Sequence, residues 1–301
     1  MSEIKNFLDF VEIRTKLASV VPFALGVGYA FYRYGAFNLA SVIVFFTAML
    51  LFDMTTTAIN NHVGHRQTGR KPHYPDTLSF TVIVFMGLIA ASFGIYLVTI
   101  SGLVVLFVGI LCFGIGIIYS AGPLPIARTP FGELFSGVIM GVCIPFIAVE
   151  ISHSIVDISF SEIRNVSIYF DRIELASFAV VVLPLICCIS NIMLANNICD
   201  AEEDIQVKRY TLPFYMGVKN SLLLYKSLYF ISYVTLVLAV ALGILPIVTL
   251  AVLLTIIPVR KNIKKFIAVQ DKRKTFSTAI INFLYISGSY AVLIWLGCVL
   301  I

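Results

Sequence analysis

The sequence predicts an all-α polytopic membrane protein, and its composition, its apolar segments and the placement of its charges all indicate this fold. Hydrophobic residues make up 59% of the 301 residues and charged residues only 12%, far from the usual composition of a soluble domain. Apolar segments separated by short loops extend along the whole chain and leave no room for a soluble domain. We therefore expect one membrane domain covering residues 1–301.

Nine apolar runs are long enough to cross about 30 Å of hydrocarbon. They are predicted near 15–33, 39–60, 78–98, 101–120, 132–152, 175–198, 222–243, 244–260 and 276–300. The segment before the first run is polar and lacks the apolar stretch of a cleavable signal peptide. The six cysteines lie in or at the ends of these runs without a CxxC pair, which predicts small core residues and neither disulfides nor metal ligands.

Basic residues fall mainly on one side of the predicted membrane. With a cytoplasmic N-terminus, that side receives Lys5, Arg14, Lys16, Arg66, Arg70, Lys71, Arg128, Lys208, Arg209, Lys219 and the basic run from Arg260 to Lys274. The other side receives only Arg33, Arg164 and Arg172. This positive-inside asymmetry predicts a cytoplasmic N-terminus and an external C-terminus. The run from Arg260 to Lys274 is interpreted as topogenic and lipid-facing, and not as a nucleic-acid site.

The first two predicted helices carry charges within or close to the membrane. Lys16, at the start of the first, could reach the mouth of a cavity or snorkel to the interface, and snorkelling is favoured. Asp53, Thr57, Asn60 and Gly64 are spaced at i, i+4, i+7 and i+11 and form a polar stripe at the end of the second helix. An intramembrane acid such as Asp53 indicates a functional site, with a hydrogen-bonded core carboxylic acid as the alternative.

After the fourth predicted helix comes YSAGPLPIARTPFGELFSGVIMG, from Tyr119 to Gly141, which carries Arg128 and Glu133. Its glycines and prolines predict a rigid turn, which is either a plain helix connector or a cap over a cavity. The external loop from Ser152 to Glu174 is assigned no role.

The densest cluster of carboxylates follows the sixth helix, in LANNICDAEEDIQVKRYTLPFYMG from Leu194 to Gly217. On a continuous helix, Asn197, Asp200 and Asp204 form one polar stripe, with Asn196 and Glu203 beside it. Hard oxygen ligands at this spacing suit Mg²⁺, which typically takes one or two carboxylates and the oxygens of a phosphate. Lys208 and Arg209 follow directly and could neutralise the same phosphate, whereas the alternative is a solvated helix end.

Three of these elements together resemble the UbiA-type intramembrane prenyltransferases, and within them the branch that prenylates 1,4-dihydroxy-2-naphthoate. They are NNICDAEED with KRYTLP, the loop YSAGPLPIARTPFGELFSG, and the amide pair Asn60-Asn61. The resemblance implies a helical bundle around a central cavity open to the cytoplasm and to lipid. It implies Mg²⁺-dependent transfer of a polyprenyl group from polyprenyl diphosphate to an aromatic ring, with loss of CO₂ from the naphthoate to yield demethylmenaquinone in a bacterial cell membrane.

The residues and the resemblance together give the following expected roles. Catalysis is assigned to Asp53, Asn60, Asp200 and Asp204, with Asp53 expected to position or deprotonate the acceptor hydroxyl. Diphosphate binding is assigned to Lys16, Asn61, Arg66, Arg70, Lys71, Tyr119, Arg128, Asn196, Lys208 and Arg209. The expected Mg²⁺ ligands are Asn60, Asn197, Asp200, Glu203 and Asp204.

The first motif departs from the family pattern NDxxD, because Asn61 stands at its first Asp position and Gly64 at its second. Three outcomes remain open. In the first, one Mg²⁺ suffices and the basic loop at 66–71 replaces the missing cation. In the second, His62 or His65 binds a softer metal. In the third, the chain binds isoprenoid lipid without turnover. Another aromatic acceptor, such as a 4-hydroxybenzoate, haem or chlorophyll-type ring, is the alternative substrate.

Overall fold

The computed structural model describes the backbone of residues 2–68, 74–120, 125–162 and 165–300, and this part of the chain is mainly helical. Its α-helices are α1 (Ser2–Phe10), α2 (Leu17–Tyr34), α3 (Leu39–Thr68), α4 (Asp76–Ser101), α5 (Leu103–Ser120), α6 (Gly132–Val138), α7 (Ile144–Glu150), α8 (Arg172–Cys199), α9 (Ala201–Gln206), α10 (Leu212–Ala241), α11 (Ile256–Ala268), α12 (Ser277–Phe283) and α13 (Ser289–Leu300). Shorter 3₁₀ segments cover Ile13–Lys16, Ile126–Arg128 and Ile247–Thr255. Single π turns at Ile139–Cys143 and Leu284–Gly288 join α6 to α7 and α12 to α13.

Six of the described helical stretches are long and apolar enough to cross a membrane. They are Leu39–Gly64, Asp76–Ser101, Gly132–Glu150, Arg172–Cys199, Leu212–Ala241 and Ser277–Leu300. Each overlaps one of the predicted spans, and a shorter apolar stretch, Leu103–Tyr119, overlaps another. The predicted spans near 15–33 and 244–260 fall on helical segments too, although the second of these segments starts at Ile247 and continues through α11. The polytopic helical architecture is therefore confirmed.

A two-stranded hairpin interrupts the expected all-α fold in the loop that had been assigned no role. Strands β1 (Val156–Glu162) and β2 (Asn165–Phe170) pair antiparallel, with Val156 opposite Phe170 and Ile158 opposite Ile168. Apolar and polar residues alternate along β1 and the start of β2, whereas Ile168, Tyr169 and Phe170 at the end of β2 are exposed.

Helix α8 lies at the centre of the larger apolar core and packs against α6, α10 and α12. Two glycines allow α6 and the adjoining π turn to approach it closely. A Cβ at Gly137 would lie 2.1 Å from Oγ of Ser190, and one at Gly141 would lie 2.9 Å from the backbone nitrogen of Ile186. Small residues at such crossings give close backbone packing, which is a main source of helix association in membranes.

A second apolar cluster joins α2 and α7, which also contribute to the larger core, to α3, α4 and α5. It includes Val27 of α2, Phe45 of α3, Leu97 of α4, Val105 of α5 and Ile147 of α7. These helices do not fill the space between them, and the cavity described next lies among them.

Candidate functional site

A cavity of about 750 Å³ lies between α2, α3, α4, α5 and the continuous helical stretch Gly132–Glu150, which contains α6 and α7. Its lining is mostly apolar along these helices, and it includes Met193 of α8. Polar residues gather at one end, where Glu12, Thr15, Ser19, Asp53, Thr56, Thr57 and Asn60 contribute to the wall. The cavity therefore has a long apolar part and one polar end.

Lys16 and Asp53 form an ion pair behind this polar end. The Lys16 ammonium donates to Oδ1 of Asp53 at 2.7 Å, to the backbone oxygen of Asp53 at 3.1 Å and to Oγ1 of Thr57 at 2.6 Å. Ser19 donates to the other carboxylate oxygen at 2.6 Å. Lys16 is only 3% exposed, so the expectation that it snorkels is wrong. It has a buried partner on the neighbouring helix, and a single helix considered alone does not reveal that partner.

The residues of the first motif, at the end of α3, differ in their contacts. Asn60 is exposed and lines the cavity. Asn61 instead donates to the backbone oxygen of Phe10 at 2.9 Å and fastens α1 to α3. A side chain at Gly64 would meet nothing within 4 Å. Nδ1 of His62 lies 4.0 Å from Oδ1 of Asp76. Thus Asn60 is the only expected first-motif ligand whose described side chain is placed at the cavity.

The acidic stretch after the sixth predicted helix is not one continuous helix. Helix α8 ends at Cys199, α9 begins at Ala201, and Asp200 between them has φ −97° and ψ 6°. The expected single stripe therefore separates into two groups of side chains. Asn197 and Asp204 are buried, Asn196 and Asp200 are partly buried, and Glu203 is exposed to solvent.

The inner group is a buried network around Arg209. Asn197 donates to Oε1 of Glu133 at 2.8 Å and accepts from Arg209 at 3.1 Å. Arg209 also lies 3.5 Å from a carboxylate oxygen of Asp204, whose other oxygen accepts from Thr211 at 3.3 Å. Burial raises the pKa of Asp204 above its usual range and the charge of Asp200 adds to this, whereas Arg209 and Thr211 oppose it.

Two polar atoms beside this network are buried without a described hydrogen-bond partner. They are Oε2 of Glu133 and the hydroxyl of Tyr119. A Cβ at Gly132 would lie 3.8 Å from that hydroxyl, which places the start of α6 next to Tyr119. Tyr119 also lines the cavity, so its expected place near the site is consistent with the structure.

The outer group is an ion pair with a distant loop. The ammonium of Lys272 contacts Oδ2 of Asp200 and donates to Oδ1 of Asn196 at 2.5 Å. Lys272 belongs to the basic run interpreted as lipid-facing, and the structure instead brings it to the acidic motif. Nothing in the local sequence around Lys272 indicates this contact.

The other expected phosphate-binding residues lie near Arg209 or outside the described side chains. Nε of Arg209 donates to the backbone oxygen of Ala127 at 3.0 Å, and the nitrogen of Tyr210 donates to the backbone oxygen of Arg128 at 3.1 Å. The segment carrying Arg128 is thereby fixed to the chain after α9. Lys208 is exposed with a positive φ of 55°. The side chains of His65 and Arg66, and all of Arg70 and Lys71, lie outside the described residues.

The donor atoms of the second motif fit a hard divalent cation better than those of the first. Oxygens of Asn196 and Asp200 already converge on one cationic nitrogen, that of Lys272. Such oxygen donors are the ligands that Mg²⁺ prefers. In the first motif the amide of Asn61 is engaged by α1 and Gly64 supplies no side chain. Among the described residues, no group of three His, Cys, Asp or Glu side chains is gathered as a preformed metal site.

The structure adds residues that sequence reasoning did not assign to the site: Ser19, Glu133, Thr211 and Lys272. Glu133 was noticed only as part of a connector, although an acid at the start of an apolar span is a signal that could have indicated it. The others have no comparable signal, because each acquires its role through a contact between distant segments.

Comparison with known proteins identifies relatives over most of the chain. A model of the UbiA prenyltransferase family matches residues 19–287. The chain is 34% identical over 146 residues to the 1,4-dihydroxy-2-naphthoate octaprenyltransferase of Bacillus subtilis (strain 168). The aligned residues make up 48% of this chain and 41% of that protein. The match therefore spans less than half of the length of that relative.

Solved structures share the fold at low sequence identity. A structure of digeranylgeranylglyceryl phosphate synthase has a TM-score of 0.66 and 12% identity, with 100% of both chains covered. A UbiA homologue from Archaeoglobus fulgidus bound to GPP and Mg²⁺ has a TM-score of 0.62 and 13% identity, covering 96% of this chain and 99% of that one. An apo UbiA homologue from Aeropyrum pernix K1 has a TM-score of 0.66 and 17% identity, covering 96% and 98%.

Proposed function

Because this chain belongs to the UbiA prenyltransferase family, we propose that it transfers a polyprenyl group from polyprenyl diphosphate to an aromatic acceptor. The observation that carries this proposal is the cavity of about 750 Å³, whose long apolar lining suits an isoprenoid tail and whose polar end suits the reacting groups. The acidic motif at the end of α8 supplies the carboxylates that such a reaction needs to hold Mg²⁺ and, through it, the diphosphate.

We assign the diphosphate to the region of the second motif. Asp200 and Asp204, with Asn196, Asn197 and Glu203 near them, would hold Mg²⁺, which when bound supplies positive charge to the phosphate oxygens. The related structure from Archaeoglobus fulgidus holds both GPP and Mg²⁺. Around this motif Arg209 is fixed by hydrogen bonds to Ala127 and Asn197 and by an ion pair with Asp204, and it orients Asn197 and Asp204 for binding.

The chain's own cations assist departure of the diphosphate in this proposal. Lys208 is exposed next to the network, and Arg128 is held beside it through the backbone contact with Tyr210. Positive charge at these positions stabilises the negative charge that develops on the leaving group. The allylic carbon then becomes electrophilic, and the apolar lining excludes the water that would otherwise intercept it.

The acceptor is proposed to be 1,4-dihydroxy-2-naphthoate, because the curated relative is named for that substrate. A bond forms between the allylic carbon and the electron-rich ring, and the ring carboxylate leaves as CO₂. The products are diphosphate and demethylmenaquinone in its quinol form. Asp53 and Asn60, at the polar end of the cavity, are proposed to position the acceptor hydroxyls.

The membrane arrangement is proposed from the charges. Nine crossings with a cytoplasmic N-terminus and an external C-terminus would place the second motif and the basic residues from Arg260 to Lys274 on the cytoplasmic side. The β-hairpin would then be external. A bacterial cell membrane is the setting that fits a menaquinone-type reaction.

Purified protein in lipid nanodiscs, supplied with dihydroxynaphthoate, a polyprenyl diphosphate and Mg²⁺, tests the proposal by mass spectrometry of the prenylated product. We expect product with the wild type and a loss of about a hundredfold or more with Asp200→Asn, since the substitution removes a ligand of the Mg²⁺ that would neutralise the leaving group. Glu202→Gln is the matched control, because Glu202 is an exposed acid on α9. Equal activity of Asp200→Asn and the control would contradict the proposed role of the motif.

Binding without turnover is the second candidate, and the first motif favours it, since Asn61 and Gly64 bring no acid to the cavity. In that case polyprenyl diphosphate would bind and remain intact with every acceptor supplied. Product with 4-hydroxybenzoate and none with the naphthoate would instead keep the transferase and change its acceptor.

A further inference from the structure

The ammonium of Lys272 lies at the acidic motif, where the proposed function requires a metal cation. Lys272 is nevertheless 72 residues from Asp200 in sequence. Its ammonium contacts Oδ2 of Asp200 and Oδ1 of Asn196, two oxygens of the motif that we assign to the metal. A single positive charge thus already lies between two of the oxygen donors. In position and in charge it takes the place of a bound cation.

The loop between α11 and α12 presents Lys272 in a defined conformation. Asp271 accepts from the backbone nitrogens of Arg273 at 2.9 Å and Lys274 at 2.8 Å. Thr275 donates to the backbone oxygen of Val269 at 2.7 Å and accepts from the nitrogen of Asp271 at 3.0 Å. The loop is therefore closed on itself by its own side chains, and the contact of Lys272 with Asn196 and Asp200 ties it further to the end of α8.

The aromatic ring of Phe276 also contacts the Lys272 side chain. Its ammonium lies 5.6 Å from the centre of the Phe276 ring, within the range of a cation–π contact. The side chain nevertheless remains 45% exposed. It can therefore move into solvent when a stronger cation arrives, without any rearrangement of the buried core.

The two aspartates of the motif, Asp200 and Asp204, differ in how easily their cationic partner can be displaced. Asp204 is held by Arg209 and Thr211 inside the buried network, where its side chain is 7% exposed. Among the described residues, the carboxylate of Asp200 is held by the partly buried Asn196 and the exposed Lys272. An incoming divalent ion thus meets an exchangeable cation at Asp200 and a fixed one at Asp204.

We propose that Lys272 is the resident counter-cation of the second motif, which keeps Asn196 and Asp200 together in the metal-free protein and is displaced when a divalent ion binds. This inference rests on the proposed function, because it takes the second motif to be the metal site. Displacement also releases a positive charge beside the site, where the oxygens of a diphosphate would be.

Mn²⁺ binding to the purified protein in nanodiscs, without any prenyl substrate, tests the proposal, with free Mn²⁺ measured by electron paramagnetic resonance. Lys272→Met removes the competing charge and should tighten Mn²⁺ binding about fivefold, the upper value for a half-exposed ion pair. Lys274→Met, an exposed neighbour on the same loop, removes the same charge from the surface and should change binding less than twofold. Lys272→Arg keeps the cation and should bind Mn²⁺ like the wild type.

Asp200→Asn defines the site in the same measurement and should weaken Mn²⁺ binding. The proposal is overturned if Asp200→Asn weakens binding while Lys272→Met binds no more tightly than Lys274→Met. It is overturned together with the metal site if Asp200→Asn has no effect. Prenyl transfer is not the readout, so a protein that shows the Lys272 effect but forms no product would overturn the proposed function alone.

A second measurement uses the unaltered chain and does not depend on the folding of a variant. Backbone hydrogen exchange of residues 270–276 should become faster in saturating Mg²⁺, because the loop loses its contact with α8. Exchange in this segment that Mg²⁺ leaves unchanged or slows would contradict displacement of Lys272.

Discussion

Replacing Lys16 by methionine should destabilise the protein by about 3 kcal/mol, because it leaves the carboxylate of Asp53 with a single described side-chain donor. The three N–H groups of the Lys16 ammonium all have acceptors, two from Asp53 and one from Thr57. After the substitution, Ser19 is the one described side chain that still donates to the carboxylate. The buried charge would then lack its counter-ion.

The magnitude follows from the exposure of the two partners. Removing one member of a buried ion pair typically costs about 3–5 kcal/mol. The Lys16 side chain is 4% exposed and that of Asp53 is 16% exposed, on the wall of the cavity. Water in the cavity can partly solvate the carboxylate, which places the expected cost at the lower end of that range.

Equilibrium unfolding in mixed detergent micelles, followed by circular dichroism, measures this cost. Lys5→Met, an exposed lysine on α1, is the control and should change the free energy of unfolding by less than about 0.5 kcal/mol. The double variant Lys16→Met with Asp53→Leu replaces the pair by apolar groups and should recover most of the loss, with a coupling of at least about 2 kcal/mol. Additive single effects, or equal stability of Lys16→Met and the control, would refute the buried ion pair.

Two further substitutions test the first motif and the packing of α6. Introducing Asn61→Asp and Gly64→Asp together should add a second bound Mn²⁺ per protein, since the space around Gly64 is open; an unchanged stoichiometry would show that the acids alone do not restore the site. Gly137→Ala should destabilise the protein by about 1–3 kcal/mol through overpacking, because its Cβ would lie 2.1 Å from Oγ of Ser190. Gly64→Ala serves as its control in the same unfolding measurement, and equal stability of the two variants would contradict the close approach of α6 and α8.

The membrane helices of this fold could be predicted because each apolar run is, by its own length and hydrophobicity, recognisable as a membrane span. The hairpin from Val156 to Phe170 was missed for a different reason, although it carries a period-two alternation. The sequence predicts a loop between two membrane helices there, because strands of seven and six residues give a weaker signal than an apolar membrane span. The end of α8 was misjudged because spacing at i, i+3 and i+7 assumes an unbroken helix, whereas the backbone turns at Asp200.

Three of the acids discussed above stand out in the sequence, but Glu133 and the lysine partners of Asp53 and Asp200 do not. Asp53, Asp200 and Asp204 are conspicuous because acids next to membrane spans are costly and usually functional. Lys272 resembled an ordinary interfacial lysine, and Lys16 was expected to snorkel to the interface or to bind diphosphate. Their roles arise from contacts across 37 and 72 residues of sequence, and no local pattern encodes such a contact.

These partners change what the acidic motif can do. Arg209 is already bound to Asp204 and Asn197, and Lys272 to Asp200, so neither cation is available to a diphosphate while those contacts persist. A diphosphate needs further positive charge, and the first motif has no acids with which to recruit a second metal ion. A single divalent ion at Asp200 would solve both problems, because it brings two charges and frees the ammonium of Lys272. On this argument, an exchangeable cation at Asp200, together with the charges of Lys208 and Arg128, makes the loss of acids from the first motif compatible with diphosphate binding.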